Sequence, residues 1–147
     1  MDEHTDPASR PATDDERALW LAARAAAEQA YAPYSGLRVG AALRTTVGGT
    51  FTGVNVENAS YPAGMCAERA ALAAAVTAGE RRFAALAVAT AQNDPILPCG
   101  ACLQALAEFG EIDLVVTSLG ATDVVGPRVV RLGELLHAPF RTRRDPS

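Results

Sequence analysis

Apolar positions along the chain change their spacing several times, and each change marks an element. Thr13-Asp14-Asp15-Glu16 fits a capping box, Thr at the N-cap and Glu three residues later. Behind it Leu19, Ala22, Ala26 and Ala30 form a helical stripe, which predicts a helix to about Tyr31. Pro33-Tyr34-Ser35-Gly36 breaks that helix. Leu37, Val39, Ala41 and Leu43 then alternate with other residues, the period of a strand. Val47-Gly48-Gly49-Thr50 reads as a turn and Phe51 to Val56 as the returning strand, so the pair is a hairpin. After a loop at Tyr61-Pro62-Ala63-Gly64, a second helix opens near Cys66 and ends at Gly79, a natural C′ glycine. Phe83 to Ala89 is nearly all apolar, as expected of a strand covered on both faces. Asn93-Asp94-Pro95 is a loop, and Pro98 leads into a third helix from about Cys99 to Phe109, closed by Gly110. Ile112 to Thr117 and Val124 to Val130 read as two more strands, and Leu132 to Leu136 as a short helix.

The order α, β, β, α, β, α, β, β predicts an α/β fold. Its expected form is a three-layer α/β/α sandwich around a mixed five-stranded sheet, with strands joined through helices running parallel. No internal repeat or linker divides the chain, so residues 13–140 are expected to form a single domain. Residues 1–12, rich in Asp, Pro and Ser and without an apolar period, read as a disordered arm. Residues 141–147, with Arg141-Thr142-Arg143-Arg144, read as a solvated basic tail.

Composition narrows the function. A chain of 147 residues, 49% of them apolar, is long enough for a normal core. A net charge of −4 and a pI near 5.1 argue against a nucleic-acid-coating protein, which usually has a pI above about 9. No apolar run reaches the roughly 18 to 20 residues needed to cross a bilayer. Met1 to Asp15 is acidic and polar, unlike a secretory signal or an Arg-rich transit peptide, so a cytoplasmic location without membrane partners is expected. The 31 alanines favour helix and thin packing layers. The chain has 13 arginines and no lysine, which excludes Schiff-base chemistry and a P-loop lysine. Its two histidines, His4 and His137, lie in the terminal regions, and no Gly-x-Ser-x-Gly elbow is present, so a Ser-His-Asp triad is disfavoured.

The three cysteines are the most restrictive feature. An odd number in a cytoplasmic-looking chain disfavours a disulfide framework. Cys66, Cys99 and Cys102 all lie at expected helix N-termini, and Cys99 and Cys102, three apart, can point at one centre. Three thiolates converging from two helix starts suit Zn²⁺. Neither histidine is near the cysteines in sequence, although the fold could bring His137 in. The simpler reading leaves the fourth position to water, a catalytic arrangement. Glu68, two residues from Cys66, is placed to take a proton from that water. Three thiolates and Zn²⁺ sum to −1, and the two helix N-termini together with Arg69, hydrogen-bonded to a thiolate, are expected to offset this. Redox chemistry at Cys99 and Cys102 leaves the third cysteine and the glutamate unexplained. Three inert buried thiols, all at helix starts, would be a coincidence.

Cys66-Ala67-Glu68-Arg69-Ala70 and Pro98-Cys99-Gly100-Ala101-Cys102 together resemble the zinc-deaminase signature. The three-cysteine form is similar to the small homotetrameric cytidine deaminases. Ala32-Pro33-Tyr34-Ser35 with Val39-Gly40-Ala41-Ala42, and Asn55-Val56-Glu57-Asn58-Ala59-Ser60-Tyr61, resemble further segments of that family. The resemblance runs from about Leu19 to Phe140. It implies one Zn²⁺ per subunit on Cys66, Cys99 and Cys102, and hydrolytic deamination of cytidine and deoxycytidine to uridine and deoxyuridine in pyrimidine salvage. Zinc hydroxide would attack C4 while Glu68 shuttles protons. Asn55 and Glu57 would bind the sugar 3′-hydroxyl, and the Ala67 backbone the base carbonyl. Tyr61 and Phe140 would help build a neighbouring subunit's site in a homotetramer. Independently of the resemblance, Asn55 and Glu57 lie two apart at a strand end and can share one face as a hydroxyl-binding pair, or else form an Asx turn and an exposed acid.

The chain departs from the family in three places. Leu103 stands where relatives commonly have Arg, Gly36-Leu37-Arg38 replaces a stretch that often carries an aromatic, and Leu136-His137-Ala138-Pro139 shifts the usual proline. Three rival functions are a deaminase of modified cytosine nucleosides, a non-catalytic zinc-stabilised interaction protein and a nucleic-acid editor. Asn55 and Glu57 favour an ordinary ribose or deoxyribose while the changed loop keeps the first open, Glu68 opposes the second, and the acidic balance opposes the third.

Overall fold

The computed structural model describes residues 7–117 and 126–142. The helices are α1 (Asp14–Ala27), α2 (Ala67–Thr77), α3 (Gly100–Ala107) and the short α4 (Leu132–Leu135). The strands are β1 (Ser9–Pro11), β2 (Val39–Thr45), β3 (Thr50–Val54), β4 (Phe83–Thr90), β5 (Asp113–Val116) and β6 (Arg128–Arg131). They form one mixed sheet in the order β1-β6-β5-β4-β2-β3. The β4–β5 pair is parallel, as the crossover through α3 requires, and every other pair is antiparallel.

The sheet's period-two alternation separates two cores. Leu43, Leu86, Val88, Leu114 and Val116 face α2 and α3, where they pack with Ala71, Ala75, Leu103 and Leu106. Ala42, Ala85, Ala87, Ala89 and Val115 face Leu19 and Ala23 of α1. The α2/α3 side is filled by bulk, each buried leucine contributing about 2 kcal/mol. The α1 side is lined by alanine, so helix and sheet approach closely.

Two glycines allow that closeness. A Cβ at Gly40 would fall 2.6 Å from the Ala27 amide nitrogen of α1. At Gly53 it would fall 2.5 Å from the Ala67 carbonyl oxygen and nearer still to the Ala71 nitrogen. Gly53 therefore seats the first turns of α2 directly on β3.

The capping box forms as expected, with Thr13 Oγ1 accepting from the Glu16 amide at 3.3 Å and Glu16 Oε2 accepting from the Thr13 amide at 2.8 Å. Three expectations are corrected. The sheet has six strands rather than five, because Ser9–Pro11, inside the arm expected to be disordered, pairs antiparallel with β6. One long-range and one local contact hold it: Arg128 Nε donates to Ser9 Oγ at 2.8 Å, and Arg10 forms a two-point ion pair with Glu16 at 2.7 and 2.8 Å. The first helix ends at Ala27, not Tyr31, because Tyr31 leaves it to bridge Val56. Its buried stripe is Leu19, Ala23 and Ala27, one residue from the expected one, with Ala22 and Ala26 half-buried beside it. Residues 1–6 with His4, Val124 and Val125 of the expected last strand, and 143–147 of the tail lie outside the described residues.

Gly53→Ala is expected to lower stability by about 1–3 kcal/mol, because backbone on both sides must shift. Thermal melting measures it, and an unchanged melting temperature would contradict the close seating of α2.

Candidate metal centre

Cys66 is the N-cap of α2 and Cys99 the N-cap of α3, and neither side chain makes a capping hydrogen bond. Cys102 follows in the first turn of α3 and is fully buried. The three Sγ atoms lie within 4.8 Å of one another, with Cys66 and Cys99 at 3.9 Å. A tetrahedral ion with Zn–S bonds of about 2.3 Å needs sulfur–sulfur edges of about 3.8 Å. The donor set and its spacing therefore fit zinc. Among the described residues no histidine joins the cluster: His137 lines a separate cavity of about 160 Å³ with Glu111, Leu136 and Arg141.

Two residues of α2 address the sulfurs. Glu68 is buried and accepts a hydrogen bond from the Cys102 thiol at 3.5 Å. Burial raises the Glu68 carboxyl above the usual range, against hydrogen bonds from its own amide and from Cys102. Arg69 Nη2 donates to Cys66 Sγ at 3.7 Å, while its buried Nε has no partner. Burial, then the Glu68 charge, pushes the Cys102 thiol up. Burial also acts to raise Cys99, but the Cys102 and Ala101 amides and the neighbouring thiols bring it down. The Cys99 sulfur at the start of α3 thus feels the helix's first amides as partial positive charge. Leu103, where the resemblance commonly carries Arg, turns into the core between α3 and the sheet.

Cys66 and Cys99 line a cavity of about 680 Å³. Asn55, Glu57, Tyr61, Ala67, Glu68 and Arg69 also line it, so the fold brings together the residues singled out from sequence, with Cys102 buried behind the lining and Phe140 apart from it. Phe140 is 74% exposed and lies outside the lining, its backbone held by Gln104 through bonds of 2.8 and 3.0 Å. Tyr61, 79% exposed, sits on a single 3₁₀ turn and meets the Tyr34 ring edge-on, with centroids 6.5 Å apart.

Asn55 and Glu57 share the cavity but are already engaged. Asn55 Oδ1 accepts from the Val39 amide at 2.8 Å, and Nδ2 donates to the Leu37 carbonyl at 2.8 Å. Glu57 Oε1 accepts from the Tyr34 and Ser35 amides at 2.9 and 3.1 Å, and Oε2 from the Ser35 hydroxyl at 2.5 Å. The Ser35 hydroxyl, then those amides, holds the Glu57 carboxyl below the usual carboxylate range. Sequence reasoning gave Ser35 no role, and only the adjacency of Glu57 in space reveals one.

Comparison with known proteins agrees with this geometry. The family profile for the cytidine and deoxycytidylate deaminase zinc-binding region matches residues 13–119. A probable cytidine deaminase of Dictyostelium discoideum is 48% identical over 95 residues, 64% of this chain and 65% of the relative. The cytidine deaminase of Sporosarcina psychrophila is 45% identical over 107 residues, 71% of this chain and 79% of the relative. The crystal structure of the Burkholderia pseudomallei cytidine deaminase superposes with a TM-score of 0.75 at 47% identity, covering 88% of this chain and all of the other.

Arg69→Ala is expected to weaken zinc binding by about tenfold or more, the usual effect of losing a group that hydrogen-bonds a metal ligand. Competition with a chromophoric chelator measures it. Unchanged affinity would show that the Arg69 bond to Cys66 does not support the metal.

Proposed function

The chain belongs to the cytidine and deoxycytidylate deaminase family and is an enzyme of the cytidine deaminase type, and on that premise we propose that it hydrolyses cytidine and deoxycytidine to uridine and deoxyuridine. One water is consumed and the C4 amine leaves as ammonia. The observation that carries the reading is a buried glutamate in the cavity lined by Cys66 and Cys99, 3.5 Å from the third thiol, Cys102. A purely structural zinc site has no use for it.

Cys66, Cys99 and Cys102 would hold Zn²⁺. When bound there, Zn²⁺ would supply the activation of water as a nucleophile at neutral pH. Glu68 would carry one proton of the attacking water to N3 of the base and the second, from the hydroxyl then on C4, to the departing amine. Its burial keeps bulk water from competing for that proton. Arg69, donating to Cys66, draws charge off the sulfur that would otherwise weaken the ion's acidity.

The remaining residues bind the nucleoside. Asn55 has one amide hydrogen left after its bond to Leu37, and Glu57 one acceptor site left after its three bonds. Together they take the sugar 3′-hydroxyl as acceptor and donor. Ala67 is the first residue of α2, so its amide has no intrahelical acceptor and can meet the base carbonyl. Tyr34, Tyr61 and Met65 at the cavity mouth are all exposed, as is Phe140 elsewhere on the surface. They support a homotetramer in which Tyr61 and Phe140 complete neighbouring sites. Among the described residues no helix is long and apolar enough to cross a membrane. A small diffusible nucleoside as substrate fits a cytoplasmic role in pyrimidine salvage.

Zinc-loaded protein is expected to convert cytidine, followed by ultraviolet absorbance, and to stop on addition of a chelator. Glu68→Gln should reduce kcat by about 10²–10⁴-fold while zinc content is kept. No conversion of any cytosine nucleoside would overturn the function. A fully active Glu68→Gln would overturn the proton path alone.

A further inference from the structure

The segment from Tyr34 to Val39 forms one wall of the cavity, and side chains from elsewhere hold most of its backbone. Glu57 holds residues 34 and 35, and Asn55 holds Leu37 and Val39. The two residues between these anchors, Gly36 and Arg38, are both held by Gln92. Gln92 Nε2 donates to the Gly36 carbonyl at 2.5 Å, and Oε1 accepts from the Arg38 amide at 3.4 Å. The adjacent Ala91 amide donates to the Arg38 carbonyl at 3.0 Å.

Gln92 does not line the cavity. It follows β4 and opens the stretch that runs through Ile96 and Leu97, both cavity-lining, to Pro98 and the ligand Cys99. The root of that stretch is fixed by buried Thr90, whose Oγ1 accepts from the Asp94 amide at 2.7 Å. Gln92 therefore ties the wall carrying Tyr34 and Leu37 to the wall leading to the metal. The task needs one side chain that donates and accepts at once: a carboxylate lacks the donor and an ammonium the acceptor.

We propose that Gln92 is a positioning residue for nucleoside binding. It clamps the 34–38 wall so that Leu37 and Tyr34 set the cavity's width and so that Glu57 and Asn55 stay aimed at the sugar. The inference rests on the reading of the cavity as a nucleoside site.

Gln92→Met keeps the length of the side chain and removes both bonds. In zinc-loaded full-length protein, amide hydrogen exchange over residues 34–39 is expected to rise about threefold to tenfold, the loss of one to two exposed hydrogen bonds, with α1 and α2 unchanged. KM for cytidine should rise by a similar factor, with kcat within about twofold, the signature of lost ground-state binding. Unchanged exchange would overturn the clamp, and faster exchange with unchanged KM would overturn the positioning role. A fall in kcat together with zinc content would also overturn it, since the residue would then act through the metal loop. A wild type that converts no cytosine nucleoside would remove the underlying reading and this role with it.

Discussion

Three sulfurs within 4.8 Å of one another repel strongly once ionised, and holding them there is the constraint on which the structure depends. Two unit charges 4 Å apart cost about 4 kcal/mol at an effective dielectric of 20. A divalent cation relieves this directly. The protein adds two helix N-termini and the Arg69 guanidinium, 3.7 Å from Cys66. Those helix ends stay together only because their bodies are fixed elsewhere. Gly53 lets α2 rest on β3, and Leu103 and Leu106 bind α3 into the larger core. The geometry of the thiol cluster is thus set by close packing within the first two turns of each helix.

The same economy governs the other end of the cavity. Asn55 and Glu57 each serve the cavity wall and, in the proposed function, the substrate. Their bonds to the backbone at residues 34–39 fix their side chains before any ligand arrives. Fixing them in advance lowers the ordering cost of binding. A site built to hydrogen-bond a hydroxyl also rejects analogues that lack one.

Much of this was legible in the sequence where the signal is local. The capping box at Thr13 and Glu16, the near-continuous apolar run of β4, and cysteines at helix starts all appear as read, because each depends on neighbours within a few residues. The stripe on α1 was misplaced by one position because alanine occurs on several of its faces, so periodicity alone could not choose the buried one. The edge strand Ser9–Pro11 was invisible: three residues show no alternation, and their partners lie 119 residues away. Gln92 and Gly36, 56 residues apart, gave no sign of their pairing either. Asn55 and Glu57 were recognised as a pair, but their bonds to the opposing loop depend on tertiary structure.

The most direct test of the central claim is zinc K-edge X-ray absorption on the reconstituted protein. Three sulfur scatterers at about 2.3 Å and one oxygen at about 2.0 Å are predicted. A fourth sulfur, the multiple scattering of an imidazole, or fewer than three sulfurs would contradict a three-thiolate centre open to water.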